Sequence, residues 1–207
     1  PGSIVRREMI RREVYAGSGA QVFQLTSAPV IHSNIYCEVP YVDPSSRYVI
    51  FLILHETYAP EPETEVWRAD LQHPRHWLTN VVAGVTNRGI AVSPDQRYFY
   101  CVRPQGDETF DVLCIEIATL EQRSTRFEGL GGGPRTLASV STDNKTYIYS
   151  TYLGNKRFGI MRLDLETGEH GVIYERGADM CNAHPQIDPL GGRDIMIQHN
   201  RGAEIDD

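Results

Sequence analysis

Cysteine is scarce in this chain, and its spacing fits no metal or redox motif. The 207 residues hold four, at positions 37, 101, 114 and 181. No Cys-x-x-Cys pair occurs, so structural zinc and thioredoxin-like exchange are not expected. Cys101 and Cys114 lie inside apolar runs, the usual setting of a buried free thiol. Four reduced cysteines, and a cytoplasmic setting, are the expectation. Long apolar runs are also missing. None approaches the roughly 18 residues of a membrane-spanning helix. The start, Pro1-Gly2-Ser3-Ile4-Val5-Arg6-Arg7, lacks the apolar core of a signal peptide. Positive charge is in short supply, with 20 Lys+Arg against 27 Asp+Glu and a net charge of −7. No basic stripe is available to neutralise phosphates, so neither nucleic acid nor an anionic membrane is an expected partner. No Gly-x-Ser-x-Gly elbow exists for serine hydrolase chemistry. Gly131-Gly132-Gly133-Pro134 has no strand-to-helix context that would make it a phosphate cradle. Helical periodicity is absent too.

A repeat is present instead. Val42-Asp43-Pro44-Ser45-Ser46-Arg47-Tyr48 matches Val92-Ser93-Pro94-Asp95-Gln96-Arg97-Tyr98 and Val140-Ser141-Thr142-Asp143-Asn144-Lys145-Thr146, and then Ile187-Asp188-Pro189-Leu190-Gly191-Gly192-Arg193. Successive offsets are 50, 48 and 47 residues. Each copy puts a polar turn rich in Asp, Ser, Pro and Asn before a β-branched and aromatic strand. A third strand follows, as at 65–71, 111–117 and 159–165, and a fourth closes the unit, as at 171–175.

Four short strands every 40–50 residues are the signature of β-propeller blades. The chain therefore reads as an all-β propeller domain of four-stranded antiparallel blades. Residues 27–80, 81–129 and 130–176 form three blades, and 177–207 begin a fourth. Residues 1–26, with one strand over 8–10 and 13–15 and another at 21–26, read as the outer strands of a closing blade. About three and a half blades suit either a four-bladed ring or a piece of a larger one. The larger one is the expectation, for the reason that follows.

Asn182-Ala183-His184-Pro185-Gln186-Ile187-Asp188-Pro189, followed by Ile195-Met196-Ile197-Gln198-His199-Asn200, resembles the oligogalacturonate lyases, a family of seven-bladed propellers. There a His-Pro-Gln segment enters an inner strand and a His follows the next one. Val22-Phe23-Gln24-Leu25-Thr26-Ser27, with His32 before the first inner strand, is similar to the family's start. The family continues its second motif as His-Glu-Gly-Pro, where this chain has His199-Asn200-Arg201-Gly202. The resemblance implies β-elimination on oligogalacturonides, an anionic oligosaccharide partner, and a divalent cation, Mn²⁺, with most ligands in later blades. It implies a metal-binding role for His199.

Such a reaction removes a proton α to a carboxylate. It needs a base, and a cation to stabilise the enolate-like transition state. Histidine suits the base, with an unperturbed pKa of about 6.5. Aligned on the turn prolines, the slot of His184 holds Val39, Gly89 and Leu137 in the other units. A His there departs from the repeat and is the candidate base. Gln186, two residues on, is expected on the same strand face as a substrate contact. A guanidinium grips a carboxylate with two parallel hydrogen bonds. Arg88 and Arg135, at inner-strand starts, and Arg201, in a loop, are candidate substrate contacts, as is His55. Arg157, in the loop after the third blade's second strand, is a candidate catalytic cation. His73 and His76 read as outer-strand and turn residues. The competing reading is a non-catalytic propeller similar to the TolB or prolyl-oligopeptidase type, with which the repeat turn is shared.

Overall fold

The computed structural model describes residues 5–7, 11–14, 17–55, 63–72, 77–106, 108–129 and 132–203. His73, His76, and residues 8–10 and 15 of the expected first outer strand lie outside them. The chain divides into two compact units, residues 1–83 and 84–207.

In the first unit, β4 (Ile31–Ser33), β5 (Tyr48–Leu54), β6 (Thr64–Asp70) and β7 (Trp77–Val85) form an antiparallel meander. β1 (Val5–Arg7) adds a fifth strand by pairing with β7. β2 (Arg11–Val14) and β3 (Gln21–Gln24) make a separate hairpin. β1, which lies before the two strands expected in the N-terminal segment, extends the first meander, while β2 and β3 pair with each other. β7 runs to Val85, past the expected boundary at residue 80. His32 lies in β4, opposite Ile53, ahead of Tyr41 and Val42, which pair with β5 just before the Asp43 turn. Alternate side chains of β5 and β6 bury Phe51, Ile53, Trp67 and Ala69 in one cluster with Leu78.

The second unit holds two four-stranded meanders. β8 (Ala91–Val92), β9 (Tyr98–Gly106), β10 (Thr109–Glu116) and β11 (Gln122–Phe127) form one. β12 (Ala138–Val140), β13 (Thr146–Gly154), β14 (Arg157–Asp164) and β15 (His170–Arg176) form the other. A single 3₁₀ turn at Ala178–Met180 leads to the hairpin of β16 (Gln186–Ile187) and β17 (Ile195–Met196). Tyr100, Val112 and Phe127 of one sheet pack against Tyr147, Tyr149 and Met161 of the next. Phe110 meets Tyr149 edge-on at 5.8 Å, a favoured aromatic geometry. Ile148, Phe158 and Ile160 then pack against Met180, Ala183 and Ile187. The short first strands lie side by side: Ala138 N–H donates to Ile90 O (3.0 Å), and Ile187 N–H to Ser139 Oγ (3.1 Å).

The repeated turn is built the same way each time. Ser93 N–H donates to Tyr98 O, and Gln96 N–H to Ser93 O. Ser93 Oγ accepts from Tyr98 N–H (2.9 Å) and donates to Asp95 Oδ1 (2.5 Å). Ser141 and Asp143 repeat this arrangement with Thr146. In the first unit Asp43 takes both roles, accepting from Arg47 N–H (2.8 Å) and Tyr48 N–H (2.6 Å) through Oδ1. One left-handed residue closes each turn: Ser46, Gln96, Asn144 and, in the fourth copy, Gly192, with φ of 57°, 61°, 60° and 64°. In the first three motifs the basic residue then reaches the third strand or the turn that follows it: Arg47 reaches Asp70 (2.7 Å), Arg97 reaches Glu116 (3.0 Å), and Lys145 reaches Glu166 (3.0 Å).

Candidate functional site

The turns just described lie at one end of each sheet of the second unit. At the opposite end the chain enters each short first strand and crosses from second to third strand. Most of the residues singled out from sequence lie there.

His184 lies in the segment leading into β16 and is 9% exposed. Its Nε2 is 2.9 Å from Asn182 Oδ1. Its backbone has φ 39°, in the left-handed region. That conformation is uncommon for a residue with a Cβ and marks a position held by its surroundings. Gly89, in the same slot of the second sheet, has φ 68°. The alignment therefore identifies a backbone kink as well as a side-chain position. It also corrects one expectation. Strand alternation begins only at Gln186, the first residue of β16, so His184 and Gln186 do not share a face by strand geometry. Gln186 is half-buried and pairs with Met196.

His199 follows β17. Its Nδ1 lies 3.0 Å from Asp179 Oδ2, and its ring meets Tyr174 edge-on at 6.2 Å. Two segments remote in sequence, 179–183 and 198–200, are tied together here. Gln198 N–H donates to Ala183 O (2.7 Å), and Asn200 N–H to Asp179 O (2.6 Å). Asn200 Nδ2 donates to Asn182 O (3.3 Å), and Gln198 Nε2 to Asn200 Oδ1 (3.0 Å). The structure thus joins the loops of His184 and His199 in one hydrogen-bonded cluster. Asp179, Asn182 and Asn200, given no role from sequence, are its connectors. Asn182 and Asn200 flank the two motifs. Asp179 carried no local signal, because its partner is 20 residues away.

The arginines divide into two kinds. Arg157 is the first residue of β14, not a loop residue, because β13 and β14 are joined by a tight turn at Asn155 and Lys156. Its Nε donates to Glu175 Oε1 at 2.6 Å, so its charge is already engaged. Arg88 and Arg135 are exposed and form no ion pair among the described residues. They flank adjoining backbone, since Gly89 N–H donates to Thr136 O (2.8 Å). The Arg135 guanidinium lies 5.9 Å from the Tyr152 ring centroid. Arg201 is exposed in the turn after the cluster. His55 belongs to the first unit, with Nε2 3.6 Å from Glu65 Oε1; Glu65 Oε2 accepts from Trp67 Nε1–H (2.7 Å).

Metal-ligating histidines commonly donate their second N–H to a carboxylate. The His199–Asp179 contact has that form, leaving Nε2 as the donor toward a cation. One oriented imidazole does not make a site. No group of three or more His, Cys, Asp or Glu converges among the described residues. The described residues therefore do not by themselves assemble a Mn²⁺ site. No helix among the described residues is long and apolar enough to cross a membrane.

No family model and no curated protein matches this chain. Solved structures do. An oligogalacturonate lyase from Vibrio parahaemolyticus aligns over 96% of this chain and 55% of its own, with a TM-score of 0.69 and 15% identity. An oligogalacturonate lyase in complex with manganese aligns over 91% of this chain and 52% of its own, with a TM-score of 0.65 and 18% identity. A putative TolB from Agrobacterium tumefaciens has a TM-score of 0.53 at 11% identity, over 95% of this chain and 69% of its own. The chain spans about half the length of the two lyase structures. At such identities the likeness is one of fold. The chain has the β-propeller fold, built of four-stranded antiparallel sheets, that oligogalacturonate lyases share.

Proposed function

We propose that this chain carries part of a polysaccharide lyase that cleaves short oligogalacturonides by β-elimination. The observation that carries the reading is the His184 cluster. A histidine replaces the repeat's apolar residue or glycine at a kinked strand entrance, and a network of side chains from two loops holds it. The fold it shares with oligogalacturonate lyases supports the same reading.

In this proposal His184 takes the proton α to the uronate carboxylate. The released electron pair forms the new double bond, and the bond from the β-carbon to the glycosidic oxygen breaks. The departing oxygen takes a proton from solvent, to which the imidazolium returns its own. The carboxylate needs a cation during proton removal. Arg157 is held by Glu175, so the proposal gives that role to Arg88 and Arg135, whose side chains lie exposed on adjoining strand entrances. Gln186 and Arg201 would contact neighbouring sugar units. A divalent ion, when bound, would polarise the carboxylate; His199 is the described residue oriented to ligate one. Removal of a general base typically costs about 10²- to 10⁴-fold in rate.

The test is ultraviolet absorbance of the unsaturated uronate formed from short oligogalacturonides, with Mn²⁺ supplied. Turnover by the chain, lost in His184→Ala and lowered mainly through KM in Arg135→Ala, is the expected result. Undiminished turnover in His184→Ala would remove His184 from catalysis. No turnover in any form would favour the binding-propeller reading, with which the TolB-like fold is also consistent.

A further inference from the structure

We propose that the cleft between the second and third sheets binds a monosaccharide-sized carboxylic acid, with Arg123 gripping the carboxylate. The cleft lies at the turn end of these sheets, opposite the end that carries the His184 cluster. The proposal therefore does not rest on the lyase reading. The cleft has a volume of about 180 Å³ and is lined by β10, β11 and the turns at 143–145 and 165–166. Pockets for drug-sized ligands run to about 300–1,000 Å³, so this one suits a single small ring rather than an oligomer.

Charge selects the sign of the ligand. Arg97, Arg126, Arg157 and Arg162 of these sheets each meet a carboxylate. Arg123 forms no ion pair among the described residues. Neutral groups hold it instead. Its guanidinium hydrogen-bonds to the Cys114 sulfur and the Tyr100 hydroxyl, and lies 5.6 Å from the Tyr98 ring centroid. Tyr100 O–H in turn donates to Asn144 Oδ1 (2.9 Å), which ties the second sheet to the third. Thr125 Oγ1, donating to Leu165 O (2.9 Å), is a second tie. The other charges lining the cleft are already matched. Lys145 Nζ meets Glu166 Oε2 (3.0 Å). Asp143 Oδ1 accepts from Ser141 Oγ (2.5 Å) and Lys145 N–H (3.1 Å). The uncompensated charge of the cleft is thus that of Arg123.

A guanidinium has more N–H donors than Cys114 and Tyr100 use, and a pair of them matches the two oxygens of a carboxylate. Ser124, Thr125 and Asn144 add neutral polar groups suited to hydroxyls, and Val112 and Leu165 add apolar surface for a ring face. One carboxylate on a small hydroxylated ring satisfies all three features.

The experiment is ¹H–¹⁵N correlation spectroscopy of the backbone amides during titration with D-galacturonate and, in parallel, with D-galactose and with sulfate. D-Galactose keeps the ring but lacks the carboxylate, and sulfate keeps the charge but lacks the ring. D-Galacturonate is expected to shift the amides of Ser124, Thr125, Asn144 and Lys145 saturably. D-Galactose is expected to bind at least about 10-fold more weakly, and Arg123→Gln to weaken D-galacturonate binding by about 10- to 100-fold, as for loss of hydrogen bonds to a charged group. Sulfate should also bind more weakly than D-galacturonate. Arg123→Lys, which keeps the charge but not the fork, should weaken binding by less than Arg123→Gln. Arg162→Gln, outside the cleft, should leave it unchanged. D-Galacturonate shifts that do not saturate or that fall elsewhere, equal affinity for D-galactose or sulfate, or wild-type binding by Arg123→Gln would each overturn the proposal. The comparison of the three probes is made on the wild-type chain, so it stands whether or not a variant folds.

Discussion

At the scale of single residues, the backbone of His184 separates two effects that one substitution would mix. His184→Ala removes the imidazole but keeps a Cβ at φ 39°. His184→Gly removes both. The glycine variant is expected to be more stable than the alanine variant by about 1 kcal/mol, since only glycine relaxes there. Urea denaturation followed by circular dichroism measures the difference, and equal midpoints would mean that His184 is unstrained. Gly89 gives the converse case. A Cβ at Gly89 would lie 2.6 Å from Pro134 Cγ and 2.9 Å from Tyr147 Oη, at φ 68°. Gly89→Ala is therefore expected to destabilise the second unit by about 2 kcal/mol or more, from strain and overpacking together. The alignment that placed these residues in one slot was legible from turn prolines. The shared kink was not, because backbone angles at a strand entrance follow from the packing around it.

At the scale of elements, the turn is the unit that repeats, and its carboxylates couple it to pH. The Asp143 carboxyl is held below its ordinary value, chiefly by the hydrogen bond from Ser141. For Asp43, burial pushes upward, but hydrogen bonds from Ser45, Tyr48 and Arg47 outweigh it and leave the carboxyl lowered. A carboxyl depressed in the folded state stabilises the fold above its unfolded value of about 3.9. That contribution is lost as pH falls through the lower folded value. Denaturation midpoints are thus expected to hold near neutrality and decline in acid. Ser141→Ala should flatten the decline besides lowering stability by about 1–2 kcal/mol for the lost hydrogen bonds. A steeper acid decline in the variant would refute the account. The strands themselves were readable, since their alternation and β-branched content are local. Two features escaped: β1 pairing with β7, and Arg157 meeting Glu175. Both join segments whose separation in sequence carries no pattern.

At the scale of the whole molecule, burial sorts the cysteines. All four are free; Cys37 is exposed, Cys101 and Cys114 are buried, and Cys181 is half-buried. Burial pushes the Cys101 thiol up to about 12, which removes the reactive thiolate at neutral pH. Alkylation of the native chain should modify Cys37 first and leave Cys101 and Cys114 intact until denaturant is added. Peptide mass spectrometry reads the order. Early modification of Cys114 would mean that the packing of the second and third sheets opens readily in solution.

What the sequence determined by itself is the class of fold and the location of its unusual residues. Turn chemistry and strand patterning are encoded within a few neighbours, so a repeat of about 50 residues displays them three times over and exposes His184 as the deviation. Tertiary structure alone decided which side chains meet. Asp179 faces His199, Asn182 faces His184, Glu175 claims Arg157, and Asn200 bridges two loops. These contacts depend on where separate strands end relative to one another. That placement is set by the packing of Met180, Ala183 and Ile187 against Ile148, Phe158 and Ile160, and no local run of residues records it.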